Sequence, residues 1–500
     1  MAFDDTWAWG EQAAKEYDSL TTSQPNKHVR DLIVAFRSIL GTNDMMAYLA
    51  MMAGRLIELR RVLKDTGSIY LHCDSVASHY LKLLMDAIFG KENFRNEIVW
   101  KRTSAHNDPH KFGRNADRIL FYTCSDKFIF NRKFTAYTEE YLGNFYRFAE
   151  GNRKYRLSDL TGAGATNGES GLEWRGYNPT DRGRHWALPT KALESLKEPL
   201  EIAQMTVPQK LDLLHENGLI AISKTGVPSF KRYLDSMDGT PLQEVWTDIN
   251  PISPQSKERQ GYPTQKPIAL LERIISASSN EGDVVLDPFC GCGTAVHAAQ
   301  KLNRQWIGID ITHLAISLIE KRLRDAFPLI EFETEGTPKD LDSARNLAER
   351  DKYQFQWWAC SLVNAQPFQD KKKGADGGID GLIYFQDDAT GAKKIVVSVK
   401  GGRNVSVAMI RDLGHVVERE KAAIGIFITL EEPTAPMETE AVSTGFYESF
   451  GKQYPKVQIL TIEGLLSGTQ RAEFPDLTAG EMNFKKAQKE KKEKQQTGMF

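Results

Sequence analysis

The chain has 500 residues, 41% hydrophobic and 26% charged, with a formal net charge of -2. That length exceeds a single hydrophobic core, so two or three domains are expected, and the near-neutral balance does not advertise a polyanionic partner, although local patches can still bind one. No apolar run approaches the ~18 residues of a membrane span, the start "MAFDDTWAWG" lacks the basic flank and apolar core of a signal peptide, and five sparse cysteines (Cys73, Cys124, Cys290, Cys292, Cys360) show only one C-x-C and no zinc-ligand spacing. A reducing cytoplasm is the expected location.

Between Asp31 and Gly67 the pattern predicts two helices, "DLIVAFRSIL" ending at Gly41 and "NDMMAYLAMMAGRLIELRRVLKDTG" running up to a Gly67 stop. "SIYLHCD" reads as a short buried strand, "SVASHYLKLLMDAIFG" as a helix leaving through Gly90, and "NEIVWKR" and "DRILFYT" as two further strands. This alternation favours an α/β sheet. From about 125 to 260 it loosens into segments rich in aromatic and basic residues, such as "LEWRGYNPTDRGRHWALP". Regular alternation returns with the helix "TQKPIALLERIISASS". A break falls near 334–340, and a second α/β pattern follows through "KKIVVSVKGG" and "AAIGIFITL". The lysine-rich tail from 471 to 500 is expected to be disordered. No internal repeat is apparent.

The stretch "VVLDPFCGCGTAVHAAQKLNRQWIGIDIT", Val284 to Thr312, carries the densest chemistry. "VVL" suits a buried parallel strand. Asp287 and Phe289 follow at its carboxyl end, where open α/β sheets place ligands. Gly291 and Gly293 let the backbone pass close to a bound molecule, and Thr294 is placed to cap the next helix. Asp310 closes the second strand, where a carboxylate can accept hydrogen bonds from ribose hydroxyls. A dinucleotide fingerprint would be G-x-G-x-x-G; here the turn is G-C-G-T-A-V, and the third glycine is missing.

"DPFCGCGT" after a strand, with an acid at the end of the next strand, resembles the S-adenosylmethionine motif of DNA amino-methyltransferases. Thr264, Gln265, Lys266 and Pro267, in "YPTQKPIALLERII", resemble a second signature of that family, beside the methionine end of the cofactor; Pro267 also suits the first turn of a helix. The order of the two motifs resembles the circularly permuted beta class. The resemblance implies a Rossmann-like methyltransferase sheet in two parts, residues 1–124 as the catalytic half and 261–330 as the cofactor half. Residues 125–260 would be an inserted target-recognition region for double-stranded DNA. There Arg175, Arg182 and Arg184 are the candidate DNA contacts, while His106, His110 and His185 are read as surface or core histidines rather than metal ligands.

The family activates the poorly nucleophilic amino group of adenine (N6) or cytosine (N4) with a [D/N/S]-P-P-[Y/F] loop that also stacks on the flipped base. No Pro-Pro pair occurs in the 500 residues. The resemblance places that loop upstream of the segment matching "FDDTWAWGE". Three explanations stay open: a start assigned too far downstream, a truncated gene, or a loop supplied by a separate polypeptide; the expected protein partner is a second copy of the chain in a homodimer or that supplier of the missing segment.

Residues 345–470 resemble an Mrr-type restriction endonuclease, through "GADGGIDGLIYF" and a strand ending in S-V-K. The resemblance implies Asp380 as a magnesium ligand and Lys400 as the catalytic lysine. Ser398 stands where the pattern wants Glu or Gln, and Glu418 or Glu420 are the candidate substitutes for its missing oxygen. The whole chain is read as an S-adenosylmethionine-dependent DNA methyltransferase in a restriction-modification fusion. The second reading is a non-catalytic DNA- and cofactor-binding remnant; a methyltransferase acting on RNA or a small molecule is the third, weakened by the nuclease-like domain.

Overall fold

The computed structural model describes residues 8–105, 107–253, 255–260, 262, 264–368, 377–387, 392–475 and 490. The chain divides into two compact units, one made of Met1–Asn131 with Glu244–Phe500 and the other of Arg132–Gln243.

The first unit opens with three helices, α1 (Glu11–Thr22), α2 (Lys27–Leu40) and α3 (Asp44–Val62). The sequence pattern predicts only the last two. Helix α1 buries just Ala13 and Leu20, too few apolar positions for a period to register. Asn26 and Asn43 set the starts of α2 and α3 by accepting hydrogen bonds from first-turn N–H groups, and Gly41, at φ +72°, ends α2. Helix α3 is buried along most of its length through Met46, Leu49, Ala50, Ala53 and Leu56, and it stops at Val62 rather than Gly67.

Strand β1 (Ser68–Cys73), helix α4 (Ser78–Phe89) and strands β2 (Phe94–Lys101) and β3 (Ala116–Thr123) follow. With β4 (Val245–Trp246) they form a four-stranded sheet in the order β1-β3-β2-β4. β3 runs antiparallel to both its neighbours, placing Ser68 opposite Thr123 and Cys73 opposite Arg118, and β4 lies parallel to β2. Further on come α5 (Ile268–Ser278), β5 (Val284–Asp287), α6 (Thr294–Lys301), β6 (Gln305–Gly308) and α7 (His313–Ala326). β5 and β6 pair in parallel, Val284 beside Gln305 and Asp287 beside Gly308. The mixed α/β class stands, but the strands of the two halves form two sheets, four-stranded and two-stranded, rather than one continuous Rossmann-like sheet. The expected burial of "VVL" fails for the same reason: Val284 is 49% exposed, because β5 has a neighbour on one edge only.

Helices α8 (Leu341–Arg350) and α9 (Lys352–Leu362) lead into a five-stranded sheet. Its order is a short edge strand Gln366–Pro367, then β7 (Gly381–Phe385), β8 (Lys393–Lys400), β9 (Ile424–Thr429) and β10 (Val457–Thr461), with α10 (Val407–Arg419) between β8 and β9. The β8–β9 and β9–β10 pairs are parallel, so both faces need cover. Phe355 and Trp358 of α9 pack with Ile395, Val397 and Ile426 in one core. Ile410, Leu413 and Val417 of α10 pack with Val396 and Phe427 in the other. Each such side chain contributes about 1.5–3 kcal/mol on burial.

The second unit holds an antiparallel sheet ordered Phe148–Glu150, Arg153–Asp159, Pro228–Tyr233, Ile220–Ile222. Its core gathers Leu160, Trp174, Trp186, Leu211, Leu214 and Phe230. The indoles find partners as burial requires, Trp186 Nε1 donating to the Leu172 carbonyl at 2.8 Å and Trp174 Nε1 to Asp212 at 3.0 Å. No described helix in the chain is long and apolar enough to cross a membrane. The tail predicted to be disordered lies outside the described residues except for 471–475 and Glu490.

Candidate functional site

The turn after β5 is built around backbone that only glycine accommodates easily. Gly291 and Gly293 sit at φ +50° and +73°. A Cβ on Gly293 would lie 2.7 Å from Ile319 Cγ1, and one on Gly291 would lie 3.1 Å from the Tyr262 ring. The two glycines therefore do different work: Gly293 lets α7 pack against the turn, and Gly291 keeps a space open in front of Tyr262. Gly308, in β6, is as tight, since its Cβ would stand 2.8 Å from Val296.

Carboxylates hold the turn in place. Asp287 accepts from the backbone N–H of Phe289 at 3.1 Å, closing a local turn that leaves the Phe289 ring 51% exposed. Asp310 reaches back from beyond β6 and accepts from Gly291 N–H at 2.9 Å with one oxygen, and from the Thr312 N–H and hydroxyl at 2.9 Å with the other. Burial pushes the Asp287 carboxyl up, and the charge of Asp310 adds to it. Thr294 does not cap α6 as expected. Gly293 occupies the cap position, and the buried Thr294 hydroxyl instead faces the Arg322 guanidinium at 3.4 Å.

The Thr264–Pro267 segment forms the facing wall. Gln265 Oε1 accepts from Gln260 N–H at 2.7 Å while its amide donates to the Glu258 carbonyl at 2.7 Å, so the side chain staples the loop. Lys266 donates to the Thr264 carbonyl at 2.9 Å. Burial pushes the Lys266 ammonium below its ordinary value, and the carboxylate of Asp117 opposes that shift. Pro267 is the cap residue of α5 rather than its first helical residue, and the Glu258 carboxylate accepts the N–H of Ile268 that Pro267 leaves free.

These elements surround one cavity of about 640 Å³. Tyr262, Gln265, Lys266, Asp287, Phe289 and Gly291 line its polar end; the remainder, lined by β1, β5 and faces of α3 and α5, is mostly apolar, with Ser68, His72, Ser278 and Asp283 among its residues. The ligand-facing residues expected from the sequence, Asp287, Phe289, Gly291, Thr294, Thr264, Gln265 and Lys266, thus converge on one space, with Asp310 bonded to its glycine turn and Gly293 and Pro267 shaping its walls. An S-adenosylmethionine-sized group fits this chemistry: a carboxylate, Asp287, on the cavity with Asp310 behind the turn, an exposed aromatic face, and a glycine where a side chain would close the space.

The sequence pattern missed Arg322. It is 2% exposed on α7 and donates to the Cys292 carbonyl in the turn at 3.0 Å. Its one signal is an arginine beside Ile319 and Leu323 on an otherwise apolar helix face. Also missed is a pair at the carboxyl end of β1: His72 Nε2 bonds Asp117 at 2.8 Å, and its ring meets Trp100 edge-on. Burial pushes His72 down, and Lys266 lies close enough to reinforce the shift.

In the nuclease-like region Asp380 Oδ2 accepts from the Val399 N–H at 2.7 Å and lies 3.9 Å from Lys400 Nζ and 3.5 Å from the Ser398 hydroxyl, so the three expected residues do meet. Glu420 is taken by Lys394 at 3.0 Å and by Arg419, and Glu418 is exposed, so neither adds an oxygen beside Asp380. Among the described residues no cluster of three or more His, Cys, Asp or Glu side chains is placed to hold a metal. The described residues of this region supply one carboxylate, not the two of a paired-carboxylate magnesium site.

In the second unit the three arginines differ. Arg184 is spent on Asp159 at 2.7 Å and on the hydroxyl and carbonyl of Thr161. Arg175, at φ +49°, pairs with Asp212 at 3.4 Å. Arg182 is exposed, lying 5.4 Å from the Tyr177 ring with no carboxylate partner among the described residues. His185 Nδ1 bonds the Gly164 carbonyl, His110 is exposed, and His106 lies outside the described residues.

Comparison with known proteins extends this geometry to a family. A family model described as DNA methylase matches residues 17–321, and one described as restriction endonuclease matches residues 347–446. The type II methyltransferase M.EcaI of Enterobacter cloacae is 34% identical over 311 residues, covering 62% of this chain and 65% of that protein. The StyLTI Mod subunit, a type III restriction-modification enzyme of Salmonella typhimurium, is 30% identical over 292 residues, covering 55% of this chain and 41% of that protein. The chain therefore spans about two-thirds or less of the length of these relatives. A solved structure titled a complex of M1.HpyAVI with SAM aligns at 16% identity and a TM-score of 0.27, over 54% of this chain and 80% of that one. The chain belongs to the N6/N4 DNA methylase family and carries a restriction-endonuclease domain of the Mrr type behind it.

Proposed function

We propose that this chain binds S-adenosylmethionine at the polar end of the cavity beside the glycine turn and acts in methyl transfer to an exocyclic amino group of DNA, adenine N6 or cytosine N4, within a restriction-modification system of the cytoplasm. The observation that carries the reading is the convergence of two separate motifs, Thr264–Lys266 and Asp287–Gly291, on one cavity. When bound, the cofactor supplies an electrophilic methyl group. The chain's own residues would hold it: Asp287 on the cavity and Asp310 behind the turn would accept from the cofactor's ammonium and hydroxyl donors, the loop stapled by Gln265 would exclude water, and Gly291 would leave room for the ligand. Residues 125–260 serve as the DNA-reading segment, with Arg182 the candidate best placed for a phosphate.

The test is isothermal titration of S-adenosylmethionine into the wild type and Asp310→Ala. One lost charge-assisted hydrogen bond weakens binding by about tenfold or more. Unchanged affinity would remove the cofactor assignment. Transfer itself is read by labelled-methyl incorporation into duplex DNA using protein isolated from its native cell. Binding of cofactor and DNA without incorporation would favour the second reading, a non-catalytic binding protein.

For the nuclease-like domain we propose Asp380 and Lys400 as its polar centre, with Ser398 in place of the second acid. DNA binding is its expected property, and cleavage in magnesium is the open test: any cutting should vanish in Lys400→Ala.

A further inference from the structure

One acidic side chain from behind the nuclease-like domain is set into the helices that flank the glycine turn. The stretch 485–496, "KKAQKEKKEKQQ", has the composition of a solvated segment, yet the side chain of its Glu490 is only 23% exposed. The Glu490 carboxylate meets His297 Nε2 at 2.9 Å, 193 positions away in the sequence, and Lys301 Nζ at 3.4 Å, both on α6. Its backbone N–H donates to the Ala326 carbonyl at 3.0 Å. Ala326 is the last residue of α7, where a helix leaves its carbonyls without intrahelical partners. One residue thus engages two helices through both its side chain and its backbone.

The receiving side is built for a carboxylate. His297 and Arg322 are each 2% exposed. The Arg322 guanidinium contacts the Cys292 carbonyl at 3.0 Å, the Thr294 hydroxyl at 3.4 Å and His297 Nδ1 at 3.3 Å, but no carboxylate among the described residues. A buried guanidinium with no counter-charge is costly. Glu258 lies within electrostatic reach but is committed to the N–H of Ile268. Glu490 supplies the missing charge through the imidazole, accepting from Nε2–H while Nδ1 accepts from Arg322.

We infer that His297, Lys301 and the carboxyl end of α7 form a seat for Glu490, and that the chain's own lysine-rich stretch, docked there, braces the glycine turn from behind. Seated, Glu490 fixes the His297 tautomer that accepts from Arg322, and Arg322 in turn holds the Cys292 carbonyl beside the cavity. Seating and cofactor binding therefore favour each other, each by the same factor. That coupling rests on the cofactor reading; the seat itself does not.

The experiment compares the full chain with two variants of the same stretch, Glu490→Ala and Glu493→Ala, which remove the same charge three residues apart. Hydrogen–deuterium exchange over Thr294–Lys301 reads the seat. Glu490→Ala should speed exchange there by about fivefold or more, and Glu493→Ala should leave it unchanged. Isothermal titration of S-adenosylmethionine reads the coupling. Glu490→Ala should weaken binding about fivefold, and should weaken it no further in Arg322→Met, where the relay is already cut. Equal exchange in wild type and Glu490→Ala, or equal speeding by both variants, would overturn the seat. Unchanged affinity in Glu490→Ala, or a loss that persists in full in Arg322→Met, would overturn the coupling. A chain with no affinity for S-adenosylmethionine that still shows the exchange difference would leave the seat standing and remove the cofactor reading instead.

Discussion

Arg322 on α7 and Cys292 in the glycine turn are joined by a buried hydrogen bond, guanidinium Nη1 to carbonyl oxygen at 3.0 Å. Arg322 Nε also donates to His297 Nδ1 at 3.3 Å, and His297 Nε2 in turn meets the Glu490 carboxylate at 2.9 Å. A ring nitrogen that accepts from a guanidinium carries no proton, so the arrangement requires neutral His297 with its proton on Nε2. Burial, reinforced by the charge of Arg322, pushes His297 down from its ordinary 6.5 to about 4. The folded pKa is the lower one, so the unfolded chain takes up the proton first on acidification. Stability from this group is complete above about pH 6.5 and is lost as pH falls toward 4. Thermal unfolding at pH 7.5 and pH 5 should show a smaller acid-induced drop in His297→Gln than in the wild type. Equal drops would exclude His297 as a contributor.

The same bond makes Arg322 a positioning residue for the cofactor turn. Arg322→Met keeps an apolar stem of similar reach but leaves the Cys292 carbonyl unpartnered. The expected result is a loss of about 1.5–3 kcal/mol in S-adenosylmethionine binding, the worth of a hydrogen bond to a charged group. Calorimetry measures it, and a far-ultraviolet spectrum of the variant checks that the fold persists. An unchanged dissociation constant would confine Arg322 to a structural role.

Gly291 and Gly293 should separate binding from folding. Gly293→Ala meets the left-handed backbone penalty and places a Cβ 2.7 Å from Ile319, inside a packed core. A cost of about 2 kcal/mol or more in urea unfolding is expected. Gly291→Ala meets the same backbone penalty, but its Cβ faces the Tyr262 ring at 3.1 Å, at the rim of the cavity. It should cost less stability and more cofactor affinity. Equal losses in both assays for both variants would mean that the turn acts as one structural piece.

In the second unit, Arg182→Ala should weaken duplex DNA binding and reduce the salt slope by about one, as for one lost phosphate contact, without moving the melting temperature. Arg184→Ala should do the opposite. Its half-exposed guanidinium is committed to Asp159 and Thr161, so its removal costs stability, about 1 kcal/mol after solvent screening. DNA titrations at two salt concentrations and a melting curve for each variant decide between the roles; a salt-slope change in Arg184→Ala would reverse the assignment.

How legible the site was depends on how local its physics is. The glycine turn, Asp287 and the Thr264–Pro267 loop each lie within a few residues of the strand or helix that positions them; the turn and its acid were legible from spacing, whereas the loop was linked to them only by its family resemblance. Arg322 and His72 escaped because their partners are distant in sequence: Arg322 and the Cys292 carbonyl are 30 residues apart, and His72 and Asp117 are 45. Helix α1 escaped because it buries two side chains only. The burial of "VVL" was misjudged for a different reason. The β-branched run reports what a strand needs, and β5 has that environment on one edge only.

Ser398 offers the sharpest test of the second domain. Its side chain is 5% exposed, within 3.5 Å of the Asp380 carboxylate, at the position where a nuclease pattern would carry a second acid. Ser398→Glu puts two carboxylates side by side in a buried place, and like charges there raise each other's pKa and destabilise the fold. A divalent cation relieves that repulsion by binding both, and ligand binding to the folded state raises its stability by mass action. The variant should therefore melt below the wild type in chelator and recover in millimolar magnesium, while the wild type, with one carboxylate and a lysine 3.9 Å from it, stays unmoved. Calcium should act likewise and sodium should not, since only a divalent hard cation is held by paired carboxylate oxygens. If the variant's melting temperature ignores magnesium, Asp380 and position 398 do not face a common ion, and the nuclease-like centre lies elsewhere in the domain.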